Sequence, residues 1–564
     1  MAKLQLIAYF PSKYEIKYAL TENVTWSKKF YPNGYVLTPP LPCDQAVALY
    51  HTLQKRLHKK LLRFLPGKLR LGFSGFPLSL AEIPEPQTDL EPERLVELLS
   101  EINRILSGRI LEDNLLVAYL RKQGWWSAEI YQALDSGYQQ GLYQFFPGVI
   151  GEPWGVLRCT RCNSLVSQSK PCWHCGREYC AYCTTCGSLG EIKACSRLWI
   201  IADDTHVQKD NSLLKPAVLH LDYSLTLAQQ KASQELVHFL EENRDQILVW
   251  AACGAGKTEV SFAAIQRVLQ TGQQVLFAIP RRDVVVELAE RLERSFPNTS
   301  IAVHYGGQAW ETDGQLVVAT THQALRFYRR FALVILDESD AFPYQGSDML
   351  RFAIQRAKKP QGKIIEMTAT PAKIPAKSGY LTIPARYHGH PLPEPQFLKV
   401  KLPNWTSLEQ ENLPLDILTI LAESTAPWFV FVPTIAACKL VGEHLAQQLQ
   451  IPVCYCYAAD PEKDYKKQAL LSGKYRIMVT TSIMERGITI PNIQVLVLYS
   501  DHPVFSANSL IQMAGRVGRT QQYPKGQVLF VGHKLTNEMR SAIAKIKFLN
   551  QQAAKNNLLV KGSS

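Results

Sequence analysis

The sequence predicts an α/β protein: two tandem parallel-sheet units, preceded by a cysteine-rich metal-binding module and by an N-terminal region whose fold the sequence does not assign. Three observations carry this. Short apolar runs rich in β-branched residues ("ILVWA", "VLFAIP", "LVVATT", "ALVILD", "KIIEMTAT") alternate with longer helical segments from about residue 225. A second set ("WFVFVPT", "VCYCY", "RIMVTT", "VLVLYSD", "QVLFVG") repeats the pattern after a Pro-rich break. Such alternation encodes a parallel sheet covered by helices on both faces. Finally, eight of the 13 cysteines fall between Cys159 and Cys195.

At 564 residues the chain has room for several domains, each with its own core. The expected order is 1–150, of unassigned fold; 151–200, the cysteine module; 201–385, the first α/β unit; 386–410, a linker; and 411–564, the second unit. The first region mixes helix-like segments with breaks such as "LTPPLP" and "AEIPEPQTDLEPE". The linker is the Pro-rich "RYHGHPLPEPQFLKVKLPNW".

With 46% hydrophobic and 20% charged residues the composition is that of a globular protein rather than a disordered one. A net charge of +13 favours a polyanionic partner, nucleic acid or a membrane surface. The densest basic run, "KRLHKKLLRFLPGKLR" at 55–70, reads as a solvated helix face or a binding stripe. No window approaches 18 consecutive apolar residues and the first 20 residues lack a signal-peptide core, so an intracellular protein is expected. In a reducing compartment cysteines serve as metal ligands or buried thiols rather than disulfides.

The cysteine run contains Cys159-x2-Cys162 and Cys172-x2-Cys175, followed by Cys180, Cys183, Cys186 and Cys195. A C-x2-C turn presents two thiolates to one tetrahedral Zn²⁺, and two such turns complete a four-sulfur set. Eight thiols fit two ions, with or without interleaved ligands, or one ion with spare cysteines. His174, inside a turn, is not expected to be a ligand. The neighbours Trp173, Arg177, Tyr179, Tyr182, Lys193 and Arg197 suit base stacking and phosphate contact, or the small core such a module needs.

The chemistry-bearing motif of the first unit is "AACGAGKT", Ala251 to Thr258, between a strand and a helix. Gly254, Ala255 and Gly256 let backbone N–H groups turn toward phosphate oxygens, Lys257 reaches the β- and γ-phosphates, and the Thr258 hydroxyl ligates Mg²⁺. Cys253 in this loop reads as small filler. Asp337 and Glu338 end a later apolar strand in "DESDAFPY", at the sheet edge where ligands bind. Asp337 would hold Mg²⁺ through water, and Glu338 would orient or deprotonate the attacking water. In the second unit "QMAGRVGRT" offers Gln512, Arg516 and Arg519. The two arginines, three apart, are expected on one helix face and able to meet the γ-phosphate.

The ordered series "AACGAGKT", "DESD", "TAT" (Thr368 to Thr370), "TTSIMERGIT" and "QMAGRVGR" resembles motifs I, II, III, V and VI of superfamily 2 helicases and translocases. The resemblance implies two tandem RecA-like domains closing on ATP and Mg²⁺. It implies that Gln229, in "LTLAQQKAS", reads the adenine edge and that Gly487 joins the nucleotide-binding set. It places a nucleic-acid strand near Pro280 to Arg282, Thr320 to Arg326, Pro433 and Thr434, and Thr480 to Ser482. The cysteine module directly before this core, with "CAYCTTCGSLGEIKAC", "AIPRRDVV", "DESDAFPY" and "ARYHGHPLPEP", resembles the late competence protein family ComFA. That likeness implies an ATP-driven single-stranded DNA translocase for natural transformation. It further implies ComFC and the membrane channel ComEC as partners, and a cytoplasmic protein peripheral to the inner face of the membrane.

Two other readings differ in what they require. A replication-restart helicase resembling PriA would carry cysteines between its two motor domains rather than before them, and would unwind forked duplexes. A zinc-dependent nucleic-acid-binding protein with a decayed ATP site would have lost residues such as Lys257, Glu338 or Arg516, all of which are intact.

Overall fold

The computed structural model describes residues 3–12, 15–21, 35–36, 41–42, 46, 49–50, 81–82, 90–151, 155–172, 175, 177–202, 217–307, 312–371, 379–408, 410–481 and 489–560. The basic run at 55–70, Trp173, His174, Ser482 and Gly487 lie outside them.

Seven parallel strands form the first large sheet: β1 (Gln246–Ala251), β2 (Val275–Ile279), β3 (Ile301–His304), β4 (Leu316–Thr320), β5 (Phe331–Asp337), β6 (Lys358–Thr368) and β7 (Tyr380–Ile383). Their order is β3-β4-β2-β5-β6-β1-β7. β2 and β4 are buried along their whole length, which is why they read as continuous apolar runs rather than alternating ones. The loops that carry chemistry all leave the C-terminal edge: the chain after Ala251, the acids at Asp337 and the "TAT" turn after Thr368.

The second sheet comprises β8 (Gln396–Lys399), β9 (Trp428–Phe431), β10 (Val453–Cys456), β11 (Ile477–Thr480), β12 (Gln494–Val497) and β13 (Val528–Gly532), in the order β8-β13-β12-β9-β11-β10. All its pairings are parallel. The expected linker differs from the structure here. Residues 396–399 are the edge strand β8, paired with β13, and Arg386 is only 2% exposed.

One apolar core runs through both units, from Val249 and Phe277 in the first to Phe429, Val495 and Met513 in the second. The C-terminal helix Asn537–Lys555 crosses back, stacking Phe548 on Trp250 of β1 with ring centroids 5.3 Å apart and planes 12° from parallel.

Before the motor, helices Pro92–Leu106, Asp113–Lys122 and Ser127–Gln139 pack on a three-stranded sheet of Leu111–Glu112, Arg197–Ile201 and Tyr143–Pro147. This sheet joins residues on both sides of the expected boundary at 150/151, so the cysteine module is an insertion within one accessory unit. The buried Asp113–Arg197 ion pair, 3.1 Å, ties the same two stretches together. Arg197 is thereby a core residue rather than a phosphate contact. Further upstream, Lys3–Ser12 and Glu15–Thr21 pair as an antiparallel hairpin. Among the described residues no helix is long and apolar enough to cross a membrane.

Candidate active site and metal centres

The loop after β1 turns at Gly254 (φ 82°) and Gly256 (φ 71°), a backbone region glycine enters without a Cβ penalty. At Gly256 the space is also closed, because a Cβ would sit 2.4 Å from Gln229 Nε2. The loop delivers Lys257, whose Nζ lies 2.8 Å from Asp337 Oδ1, and Thr258, whose Oγ1 donates to Asp337 Oδ2 at 3.3 Å. Burial opposes the charge on Lys257, but Asp337, Glu338 and Asp340 outweigh it and hold its pKa above the usual value. Glu338 follows on a left-handed turn (φ 54°), and its N–H donates to Asp337 Oδ1 at 2.7 Å. A non-glycine residue in that region carries strain of about 1–3 kcal/mol, tolerated where the fold aims a functional side chain.

From the second unit, Gln512, Arg516 and Arg519 line the same cleft, whose volume is about 840 Å³. The arginines do not share a helix face as expected. The helix Ala507–Ala514 is capped by Gly515, and both follow in the turn beyond it. Arg519 Nε donates back to the Gly515 carbonyl at 2.8 Å, and burial lowers the Arg519 pKa. Cys253 fills the gap between units: a Cβ on Gly515 would lie 2.5 Å from its Cβ.

Asp340, unassigned from sequence, is a junction. Its carboxylate accepts from Thr368 Oγ1 and Thr370 Oγ1, both at 2.6 Å, and from Gln512 Nε2 at 3.4 Å. One acid thus joins the "DESD", "TAT" and "QMAGR" segments. Arg386 was missed as well: its guanidinium bonds carbonyls on both sides of the cleft, and a lone arginine in a Pro-rich stretch gives no spacing signal. Gln229 lines the cleft, but both ends of its amide are held by the protein. Its Oε1 accepts from Thr226 N at 2.8 Å and its Nε2 donates to Ala255 O at 2.9 Å.

The residues expected along a nucleic-acid strand, Pro280 to Arg282, Thr320 to Arg326, Pro433 and Thr434, and Thr480, sit at or just past the C-terminal ends of β2, β4, β9 and β11. Two of their hydroxyls are used inside the fold. Thr434 Oγ1 caps a helix through Ala437 N at 3.0 Å, and Thr480 Oγ1 donates to Cys456 O at 2.8 Å.

The cysteines sort into two sets. Cys159, Cys162, Cys183 and Cys186 converge, as do Cys172, Cys175, Cys180 and Cys195, with the sulfurs of each set within 4.8 Å of one another. The first two C-x2-C turns therefore do not share a site. Each joins later cysteines, in the interleaved arrangement that the sequence left open. Observed S···S separations are 3.8 Å (Cys159–Cys186), 3.5 Å (Cys162–Cys183), 3.7 Å (Cys172–Cys195) and 3.8 Å (Cys180–Cys195). A tetrahedron with Zn–S bonds of about 2.3 Å has edges of about 3.8 Å, so both sets have the size and donor chemistry for Zn²⁺. Four thiolates around one ion leave net negative charge, and Arg161 answers it at the first set, donating to Cys186 Sγ through Nη2 at 3.1 Å and Nε at 3.3 Å.

Comparison with known proteins gives three family matches along the chain: "Competence protein ComFA N-terminal domain" over residues 102–200, "Type III restriction enzyme, res subunit" over 222–373, and "Helicase conserved C-terminal domain" over 412–521. The first begins well upstream of residue 150, in agreement with the sheet that spans that boundary. The competence protein ComFA of Bacillus subtilis (strain 168) is 34% identical over 416 residues, covering 71% of this chain and 86% of that protein. ComFA of Streptococcus pneumoniae (strain ATCC BAA-255 / R6) is 32% identical over 420 residues, covering 71% and 91%. Among solved structures, S. cerevisiae Dbp5 bound to RNA and ADP BeF3 matches with a TM-score of 0.41 at 16% identity, covering 60% of this chain and 98% of that one.

Proposed function

The chain belongs to the ComFA family of competence proteins, a DNA-dependent ATPase of superfamily 2 helicase type, and on that premise we propose that it is the single-stranded DNA translocase that draws DNA inward during natural transformation. The observation that carries this reading is the single cleft in which Lys257, Asp337 and Glu338 of one sheet face Gln512, Arg516 and Arg519 of the other.

The residues fit ATP with Mg²⁺. Lys257 and the N–H groups of the loop would grip the β- and γ-phosphates, with Thr258 and Asp337 placed for the metal. Bound Mg²⁺ supplies neutralisation of phosphate charge. Glu338 orients the attacking water, and Arg516 and Arg519 stabilise charge that spreads over the transferred phosphoryl, an effect on the order of 10³–10⁵ for such arginines in general. Because the arginines belong to the second unit, hydrolysis and unit closure are one event, and the strand along the sheet edges moves with it. The two cysteine sets would each hold one Zn²⁺. By family resemblance the partners are ComFC and the channel ComEC, at the inner face of the membrane.

The test is phosphate release with and without single-stranded DNA, alongside DNA binding, for the wild type, Lys257→Ala and Glu338→Gln. Both variants are expected to lose turnover while retaining most DNA binding. DNA-stimulated hydrolysis that survives Lys257→Ala sinks the reading.

A further inference from the structure

The crossover between the two sheets is bonded to both sides of the ATP cleft. It leaves β7 at Ile383, and three residues later Arg386 is buried against the turn that carries the arginines. Arg386 Nε donates to Cys253 O at 2.9 Å, in the loop before Lys257. Its Nη1 donates to Val517 O at 2.6 Å and Gly518 O at 2.5 Å, and its Nη2 to Gly515 O at 3.3 Å. The last of these carbonyls belongs to the helix cap Gly515 and the other two to the turn just beyond the helix Ala507–Ala514, near the negative end of its dipole, where a cation is favoured.

The next two residues complete the grip. Tyr387 Oη donates to Arg519 O at 3.1 Å, and His388 Nε2 lies 2.9 Å from Gly518 O. His388 Nδ1 accepts from His390 N at 3.2 Å, so Nε2 carries the proton and donates to that carbonyl. At Gly518 (φ 68°) a Cβ would meet the Pro524 carbonyl first and then Arg386 Nη1 at 2.9 Å, so the turn is closely packed on the side the guanidinium approaches. Further along, the strap is pinned to the second unit: Val560 N donates to Gly389 O at 2.9 Å, and Asn550 brackets Leu392 with bonds of 2.8 and 3.0 Å. Arg386 to Cys253 O is thus the bond by which this assembly holds the nucleotide loop of the first unit.

We propose that Arg386–His390 is a strap that sets the arginine turn against the nucleotide loop, and that Arg386 is a positioning residue for ATP hydrolysis, acting through Arg516 and Arg519. This rests on the reading that those two arginines serve the γ-phosphate. A guanidinium suits the task because its donors lie in a fixed planar fork that reaches several carbonyls in different directions at once. An ammonium on a flexible stem cannot span Cys253 O and three turn carbonyls together. Arg386 therefore links the position of the turn directly to Cys253 O in the nucleotide loop.

The experiment uses the full chain with saturating single-stranded DNA. Steady-state kcat and KM for ATP, fluorescent-nucleotide affinity and thermal unfolding are measured for Arg386→Ala, Arg386→Lys and Tyr387→Phe. A misplacement of about 1 Å in a reacting group costs on the order of 100-fold, so kcat for Arg386→Ala is expected to fall between about 10- and 100-fold with nucleotide affinity within about 3-fold of wild type. Arg386→Lys recovers little of it, which separates geometry from charge. Tyr387→Phe removes one hydroxyl from a half-exposed side chain, leaves folding intact and lowers kcat a few-fold at unchanged KM, so it remains decisive if Arg386→Ala does not fold. Full kcat in Arg386→Lys, wild-type kcat in Tyr387→Phe, or parallel losses of affinity and kcat in a folded Arg386→Ala overturns the proposal. Lys257→Ala run beside them keeps the two claims apart. If it is inactive while the strap variants turn over normally, only the strap falls; if it still hydrolyses ATP, the reading of the cleft falls first.

Discussion

The interleaved cysteine pairing makes a numerical prediction that a sequential pairing reverses. Consider two double variants, Cys159→Ser with Cys183→Ser, and Cys159→Ser with Cys172→Ser. In the structure the first pair belongs to one set and the second pair is split between sets. Removing two ligands from one set destroys that site and leaves the other whole, so zinc content should fall from two ions per chain to one. Removing one ligand from each leaves two three-sulfur sites. Structural zinc contributes about 10–16 kcal/mol in small four-ligand sites, and losing one of four thiolates removes a share large enough for a chelator to strip both ions. The assay is metal analysis after gel filtration in the presence of chelator. Interleaved sites give one ion for Cys159/Cys183 and none for Cys159/Cys172. Sites built from Cys159, Cys162, Cys172 and Cys175, with the other four apart, give the opposite order. One ion retained in the Cys159/Cys172 variant and none in the Cys159/Cys183 variant refutes the pairing.

Two further predictions concern buried polar groups. Asp340→Asn replaces a carboxylate that accepts from Thr368, Thr370 and Gln512 with a group that must donate at one position. Hydrogen bonds to charged groups contribute about 1.5–3 kcal/mol, so denaturant unfolding should show a loss of about 2 kcal/mol and DNA-stimulated phosphate release should fall roughly ten-fold. His304, 2% exposed, is held neutral by burial and by Arg109, Arg330 and Arg326, with Asp313 opposing, so its pKa falls to about 3. The unfolded chain takes up that proton near pH 6.5 and the folded one does not. Stability is therefore complete above about pH 6.5 and is lost as pH falls toward 3, by about 1.4 kcal/mol per unit. His322, His388 and His444, also lowered by burial, add to the same trend, so urea midpoints at pH 7.5 and 5.5 should show a loss of stability toward acid and His304→Phe should remove the His304 share of it.

The parts of the fold that were legible in the sequence are those with a repeated local signal. β1, β2, β4 and β5 are fully or nearly fully buried, as is most of the C-terminal half of β6, and each of these stretches reads as an apolar run. The strands that escaped, Ile301–His304, Tyr380–Ile383 and Gln396–Lys399, have four residues each. Each lies at an edge of its sheet, where one face and one side lack the packing that enforces an apolar run. The turn after Ala514 was misjudged for a different reason. Spacing of three suggested a helix face for Arg516 and Arg519, whereas the glycines at 515 and 518 mark a helix end. Within the cleft, the motif residues Lys257, Asp337, Glu338, Gln512, Arg516 and Arg519 stand together, whereas the connectors have no motif role of their own. Asp340 and Arg386 act by joining segments far apart in sequence, and such partners are fixed only when the chain is folded.

The accessory unit meets the motor through residues 108–110, through the first cysteine set and through a shared apolar core, which bears on what it can influence. Ile110 N donates to Arg326 O at 2.8 Å and Tyr328 N to Gly108 O at 3.0 Å, so residues 108–110 run beside 326–328. On the other side Arg356, in the helix that follows "DESDAFPY", donates to Thr160 O at 3.1 Å, between Cys159 and Cys162, and to Leu325 O at 2.6 Å. Arg356 is part-buried, and desolvation together with the nearby Arg161 charge outweighs the favourable Cys159, Cys162 and Cys186 sulfurs and lowers its pKa to about 10. Tyr344 joins the same core from the other end of the octapeptide. The first cysteine set is therefore two hydrogen bonds from Thr320–Arg326, the segment at the C-terminal end of β4 in the first large sheet. Its path to Lys257 crosses the interior of that sheet. A metal ion held by that set would stiffen the contact with the segment after β4, while the nucleotide loop is held by Asp337 and Arg386.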